Sequence, residues 1–210
     1  QNNSLHVLKL TRNRIGNDGA IAIANFLSKN ATLHTLDLKM CHIGENGSIA
    51  IANAIGKNST LRTLNFSSNE VNIEGAQIFA DALSQNCTLC ILYLRQCNIQ
   101  EGIISIVDAL TKNTAIYDLD IGYNFIGTQG AISVAKMLSK NNTLKILNLN
   151  HNLIKNAGIM AITDELHQNT TLHTLSINYQ IGEKEARLIA NMLLHNYTLH
   201  TLNLSRNQYI

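Results

Sequence analysis

The sequence predicts an α/β fold, a curved solenoid with parallel strands on its concave face and helices on its convex face. Three observations predict it. One phrase returns every 27 or 28 residues, opened by Leu5, Leu33, Leu61, Leu89, Ile116, Leu144, Leu172 and Leu199. Inside each phrase a period of two gives way to a period of 3.6, the signatures of a strand and then a helix. Finally, 45% of the chain is hydrophobic, yet one unit is too small to bury its own leucines, so stacked neighbours must do it.

Each unit opens as a strand. In the first, Leu8 and Leu10 alternate with Val7, Lys9 and Thr11, which directs the leucines inward and the other three outward. Asn13 ends the strand, and Asn69, Asn124, Asn152 and Asn207 hold the same place, with Cys41 and Cys97 substituting. An amide that donates and accepts can satisfy open turn backbone, so the column reads as an internal ladder. An apolar plug follows: Ile15, Ile43, Val71, Ile99, Ile126, Ile154 and Ile181.

A helix comes next. Gly19, Gly47, Gly75, Gly102, Gly130 and Gly158 mark its start, for close backbone approach or a special dihedral; Glu185 holds the place in the seventh unit. Ala20, Ile23, Ala24 and Leu27 share one helical face, as do Ala131, Val134, Ala135 and Leu138. Asn30, Asn58, Asn86, Asn113, Asn141, Asn169 and Asn196 follow the helices, where asparagine suits the left-handed position that closes a C-terminus. The fourth and seventh units are one residue short between strand and helix, a deletion that a turn absorbs. The whole chain, 1–210, is expected to be one domain of about seven full repeats plus an eighth strand, a fragment lacking end caps.

Bulk composition narrows the function classes. A net charge of +2 with scattered Lys and Arg argues against nucleic acid and against an acidic membrane surface. No apolar run reaches the ~18 residues a membrane span needs. Cys41, Cys87, Cys90 and Cys97 have no disulfide-framework spacing, so a reducing compartment is expected.

The motif Leu33, Leu36, Leu38, Cys41, Ile43, Gly47, Ala50 and Ile55 resembles the leucine-rich-repeat superfamily, and the 28-residue helical unit is similar to its ribonuclease-inhibitor-like class. The resemblance implies the horseshoe described above and a use in binding other proteins: inhibitors, sensor domains of innate-immune receptors, regulators of small GTPases, and effectors of intracellular bacteria. The alternation of Cys and Asn ladder units seen in the inhibitor itself is broken here, so ribonuclease inhibition is not implied. The expected location is the cytoplasm, or the host-cell cytoplasm for a secreted effector.

The outward strand positions then form the partner surface. Tyr93, Arg95, Asp118, Asp120, Tyr123, Asn148, His151 and Tyr179 gather its largest groups on adjacent strands, and Tyr and Arg are frequent interface anchors. A quieter reading stands beside this one: the tyrosines fill space between strands, and Arg95 pairs with Asp118 or Asp120. The expected function is a protein-binding module using this concave face. The alternative is an intramolecular regulatory or structural domain of a larger protein. Recognition of a small ligand is disfavoured, because no long insertion roofs a pocket.

Several patterns imitate chemistry. Cys87 and Cys90 are spaced C-x-x-C, but no second pair follows, as a zinc site would need. His6, His34, His173 and His200 share one repeat position, where Arg62, Cys90, Tyr117 and Lys145 also occur. Six Asn-x-Thr acceptor patterns, at Asn30, Asn58, Asn86, Asn141, Asn169 and Asn196, arise from the repeat itself. No metalloprotease, phosphate-loop or nucleophile-elbow motif occurs, so neither catalysis nor a cofactor is expected.

Overall fold

The computed structural model describes residues 2–178 and 182–205. Each unit is a three-residue strand, an outward turn and a helix. The strands are β1 (Val7–Lys9), β2 (Thr35–Asp37), β3 (Thr63–Asn65), β4 (Ile91–Tyr93), β5 (Asp118–Asp120), β6 (Ile146–Asn148), β7 (Thr174–Ser176) and β8 (Thr201–Asn203). They pair in chain order, all parallel, with Leu36 beside Leu64 and Leu64 beside Leu92. The helices are α1 (Gly16–Leu27), α2 (Glu45–Lys57), α3 (Asn72–Gln85), α4 (Ile103–Leu110), α5 (Thr128–Leu138), α6 (Asn156–Leu166) and α7 (Glu183–Leu193). They line the convex side of the curved sheet. A parallel sheet is usually covered on both faces; here helices cover one, and the concave face stays open.

The core lies between sheet and helices. Leu36, Leu38, Ile43, Ile55, Leu64, Leu92, Leu119 and Leu147 are all at most 1% exposed, and burying each such side chain stabilises by roughly 1.5–3 kcal/mol. In the first unit Leu8 and Leu10 are only partly buried, having neighbours on one side. The short fourth unit absorbs its deletion as expected: a 3-10 turn, Gln100–Gly102, leads into an eight-residue α4.

Close approach, not dihedral, explains the helix-entry glycines. None of Gly19, Gly47, Gly75, Gly102, Gly130 and Gly158 has positive φ. A Cβ on Gly102 would lie 2.6 Å from the Ala76 Cβ of the previous helix, and one on Gly130 would lie 2.7 Å from Ile103 Cγ2. Glu185 breaks the pattern by filling that space, its carboxylate accepting from Asn156 at 2.9 Å and from the Gly182 N–H at 3.1 Å.

The asparagines after the helices are not left-handed, as the sequence suggested. Asn58 (φ −88°, ψ 133°) and Asn86 (φ −81°, ψ 123°) are extended. They form a second ladder. The Asn58 amide donates to Leu27 O of the preceding helix at 2.8 Å and to Asn30 O at 3.0 Å, while its Oδ1 accepts from Thr60 and Leu61 N–H. Helix-end carbonyls need such partners, and asparagine supplies them across repeats without left-handed backbone. The six Asn-x-Thr asparagines are all at most 9% exposed, so in the folded chain their amide nitrogens are closed to glycosylation.

The first ladder behaves as expected at the asparagines. Asn124 is fully buried; its amide donates to Leu94 O at 2.7 Å and Gly122 O at 3.1 Å, and its Oδ1 accepts from Cys97 N–H at 2.8 Å and Ile99 N–H at 3.4 Å. Where cysteine stands instead, its backbone carbonyl accepts the N–H groups of the previous plug and the following residue: Ile15 and Gly16 on Cys41, Val71 and Asn72 on Cys97. Ile181 and Asn207 lie outside the described residues.

Candidate functional site

The structure brings Tyr93, Arg95, Asp118, Asp120 and Asn148 together on three neighbouring strands and their exits. β4, β5 and β6 place Tyr93 beside Asp120 and Asp120 beside Asn148. The Tyr93 hydroxyl donates diagonally to Asp118 Oδ2 at 2.9 Å. Asp120 accepts from the Gly122 N–H at 2.9 Å and from the Asn148 amide at 3.0 Å. Tyr179 and Arg206 lie outside the described residues.

Tyr123 and His151 are near this group but not on the strands. Each is the left-handed residue (φ 56°) of the turn just past its strand, as are Arg12, Met40, Ser68 and Gln96 in other units. Their side chains therefore stand at the rim of the concave face. The Tyr123 and His151 rings stack with centroids 3.7 Å apart, and the Arg95 guanidinium lies 4.2 Å from the Tyr123 ring centroid. So Arg95 is held by a cation–π contact and makes no ion pair with Asp118 or Asp120; the ion pair among the described residues is Arg187–Glu183 on α7.

Sequence reasoning passed over Gly122. It occupies the lateral position beside Arg95, and a Cβ there would lie 3.2 Å from Arg95 Nη1, 3.1 Å from Asp120 Oδ1 and 3.0 Å from Asn150 O. Its bare backbone makes room for the guanidinium to reach Tyr123. The signal was present: Thr11, Lys39, Ser67, Arg95 and Asn150 carry side chains at this outward position, and only Gly122 lacks one. Phe125 and Leu153, each 60% exposed, were also missed because they precede the plug in what reads as a polar turn.

The electrostatics follow from half-burial. Desolvation raises the carboxyl pKa values of both Asp118 and Asp120; Tyr93's hydrogen bond opposes it at Asp118, and Gly122 N–H, Arg95 and Asn148 oppose it at Asp120. Burial, then the hydrogen bond to Asp118, pushes the Tyr93 phenol up to about 12. Burial and nearby Arg95 lower the His151 imidazole. The result is a preset polar surface: the Tyr93 phenol and Asp118 hold each other, Asp120 is held by Gly122 N–H and Asn148, and the Arg95 guanidinium is held by the Tyr123 ring.

The chemistry-like patterns resolve differently. Cys41, Cys87, Cys90 and Cys97 are all free thiols. His6 and His34 meet edge to face at 5.1 Å, and His173 and His200 stack at 5.1 Å. Among the described residues no group of three or more His, Cys, Asp or Glu is placed to hold a metal, and no helix is long and apolar enough to cross a membrane.

Residues 1–24, 29–52, 57–80 and 140–162 match the family model described as Leucine Rich repeat. With the strand–helix units and the eight-stranded parallel sheet, that match decides the architecture. The chain is a leucine-rich-repeat-type solenoid. No curated protein matches it. Among solved structures, one titled Leiomodin-1 Actin-Binding Site 2 (ABS2) matches with a TM-score of 0.58 at 21% identity, covering 72% of this chain and 88% of that one. The tropomodulin C-terminal domain of Caenorhabditis elegans matches with a TM-score of 0.58 at 14% identity, covering 70% and 90%. At these identities the likeness is one of fold alone.

Proposed function

We propose that this chain is a protein-binding module whose partner docks on the concave face of its fourth to sixth repeats. One observation carries the reading. Asp118 and Asp120 stand half-buried on an uncovered sheet face, without an ion pair, beside Tyr93 and the Arg95–Tyr123–His151 stack. Groups already fixed by mutual contacts lose little conformational freedom on binding, and buried Tyr and Arg are the usual energetic centres of interfaces. Asn148 extends the polar surface toward β6. The ribonuclease-inhibitor-like length of the repeat agrees with such a use, and the similar leiomodin-1 fragment is titled as an actin-binding site. Four free cysteines suit a reducing, cytoplasmic setting.

The test is affinity capture with the folded chain and with a triple variant, Tyr93→Ala, Arg95→Ala and Tyr123→Ala, after circular dichroism shows both folded. A protein held by the native chain and lost by the variant is expected. Equal recovery by both would remove the concave face as the binding surface.

A further inference from the structure

The repeats act as an internal comparison for one part of the surface, the turn that leaves each strand. At the place of Tyr123 and His151, other units carry Arg12, Met40, Ser68, Gln96, Tyr179 and Arg206; at the place of Phe125 and Leu153, the first four units carry Arg14, His42, Glu70 and Asn98. The fold therefore accepts polar side chains at the second place in four units. The fifth and sixth units alone put aromatic or imidazole rings and large apolar groups at both places.

Two features show that folding does not explain the substitution. Phe125 and Leu153 are each 60% exposed, so the core gains little from them. Phe125 also has φ 56°. His42 and Asn98 adopt the same left-handed conformation at this place (φ 54° and 56°), and His and Asn tolerate it, whereas a bulky aromatic residue there is an outlier. A strained, exposed phenylalanine is the kind of local strain that gathers at binding sites.

The four side chains wall a groove of about 240 Å³, completed by Gln96 and Asn98. That is below the ~300 Å³ at which pockets for drug-sized molecules begin, and it suits one or two side chains of a partner. Charge restricts the occupant further. Among the described residues the groove lining carries no carboxylate. At its concave edge Arg95 covers the Tyr123 ring without an ion pair; its charge reaches the Asp120 carboxylate only at longer range, while that carboxylate's hydrogen bonds come from the Gly122 N–H and the Asn148 amide.

We propose that the groove between the strand-exit turns of the fifth and sixth repeats receives a partner segment carrying a bulky apolar side chain next to a carboxylate. The apolar group enters between Tyr123–His151 and Phe125–Leu153, and the carboxylate meets Arg95 at the edge. The proposal rests on the protein-binding reading above and names the part of the partner that this chain selects.

The test titrates the isotopically labelled chain with three capped peptides: acetyl-Gly-Glu-Phe-Glu-Gly-amide, its Lys-Phe-Lys counterpart and its Glu-Ala-Glu counterpart. The first is expected to move the amide signals of Tyr123, Phe125, His151 and Leu153 and to bind at least tenfold more tightly than the other two. A Phe125→Asn, Leu153→Asn double variant is expected to lose that preference tenfold while remaining folded, since Asn98 already occupies this place with the dihedral of Phe125 and Leu153 is 60% exposed. Equal binding of all three peptides, or signal changes confined elsewhere, would overturn the proposal. So would self-association of the native chain that the double variant abolishes, which would assign the groove to a second copy. Failure here is separable from failure of the concave-face reading. Partner capture that survives the double variant, but not the Tyr93, Arg95 and Tyr123 triple variant, keeps the module and removes the groove.

Discussion

Asn124→Ala is the sharpest probe of what holds the repeats in register. The side chain is fully buried and makes four hydrogen bonds to three segments of backbone. Gly122 O keeps a second partner, the Gln96 N–H at 2.9 Å. Leu94 O, Cys97 N–H and Ile99 N–H lose their ladder partner. An orphaned buried polar group costs about 1–3 kcal/mol. Three such groups, the Ile99 contact being long, give a loss of about 3–6 kcal/mol. Urea unfolding followed by far-UV circular dichroism measures it. Amide exchange locates it, with protection falling first at Cys97 and Ile99. Asn124→Asp separates the two halves of the network: it keeps the acceptor but turns an oxygen onto Leu94 O, so it is expected to be at least as damaging. A loss below about 1 kcal/mol, or exchange that rises uniformly along the chain, would refute the ladder as a stabilising network.

Gly130→Ala forces a Cβ to 2.7 Å from Ile103 Cγ2; it should destabilise by about 1–3 kcal/mol, although alanine is the better helix former, as thermal unfolding will show. With Ellman's reagent, exposed Cys87 should react first in the folded chain and Cys90 more slowly. Cys41 and Cys97, both fully buried, should react only after unfolding, because burial raises the Cys41 thiol and pushes the Cys97 thiol up to about 12. Asp118 has a raised carboxyl pKa, so its contribution to stability is complete below the unfolded value of about 3.9 and is lost as pH rises through the higher folded value. Asp118→Asn, which retains an acceptor for Tyr93, should therefore gain stability relative to the native chain on going from about pH 3.5 to pH 7; a difference independent of pH would contradict this. Asn152→Cys should move the second left-handed residue of the fifth turn, the one beside the Ile126 plug, from Phe125 to Gly127 while Tyr123 keeps its own, seen as a change in the Phe125 backbone carbon shifts.

Most of the fold was legible because it depends on positions that recur. Leu36, Leu64 and Leu92 are interchangeable, so their column announces the sheet, and the alternation around them announces which face is open. The reading weakened where two physical explanations use the same residue. Asparagine after a helix serves either a left-handed turn or a cross-repeat hydrogen bond, and composition does not distinguish them; Asn58 chose the second. The entry glycines likewise fit either dihedral freedom or close packing, and only the neighbouring helix, with Ala76 facing Gly102, decides. At the site, the strand residues Tyr93, Asp118, Asp120 and Asn148 were legible from alternation. Tyr123 and His151 were counted with them, because a three-residue strand ends sooner than its pattern of outward positions. Phe125 and Leu153 were overlooked for a related reason: a turn read as polar hides an apolar pair unless the units are compared column by column.

The ladder and the rim groove are parts of one device. When the next unit supplies asparagine, its Oδ1 gathers the N–H groups of the ladder and plug residues: Asn69 takes Cys41 and Ile43, Asn124 takes Cys97 and Ile99, Asn152 takes Asn124 and Ile126. For two N–H groups separated by one residue to converge on one oxygen, that middle residue turns left-handed, and His42, Asn98 and Phe125 do so. When the next unit supplies cysteine, the carbonyl gathers the plug and its successor instead, and Gly16 or Asn72 is the left-handed residue; in the short fourth unit Gln100 is left-handed as well as Asn98, its N–H donating to Asn124 O. The outward posture of Phe125 is thus set by the half-buried Asn152 amide in the neighbouring repeat. A binding surface built this way keeps its shape without support from above, because the strain in Phe125 is held by the hydrogen bonds of Asn152 below it. It follows that the groove and the stability of the sixth repeat stand or fall together: a change that loosens Asn152 should abolish recognition at the rim before the sheet itself opens.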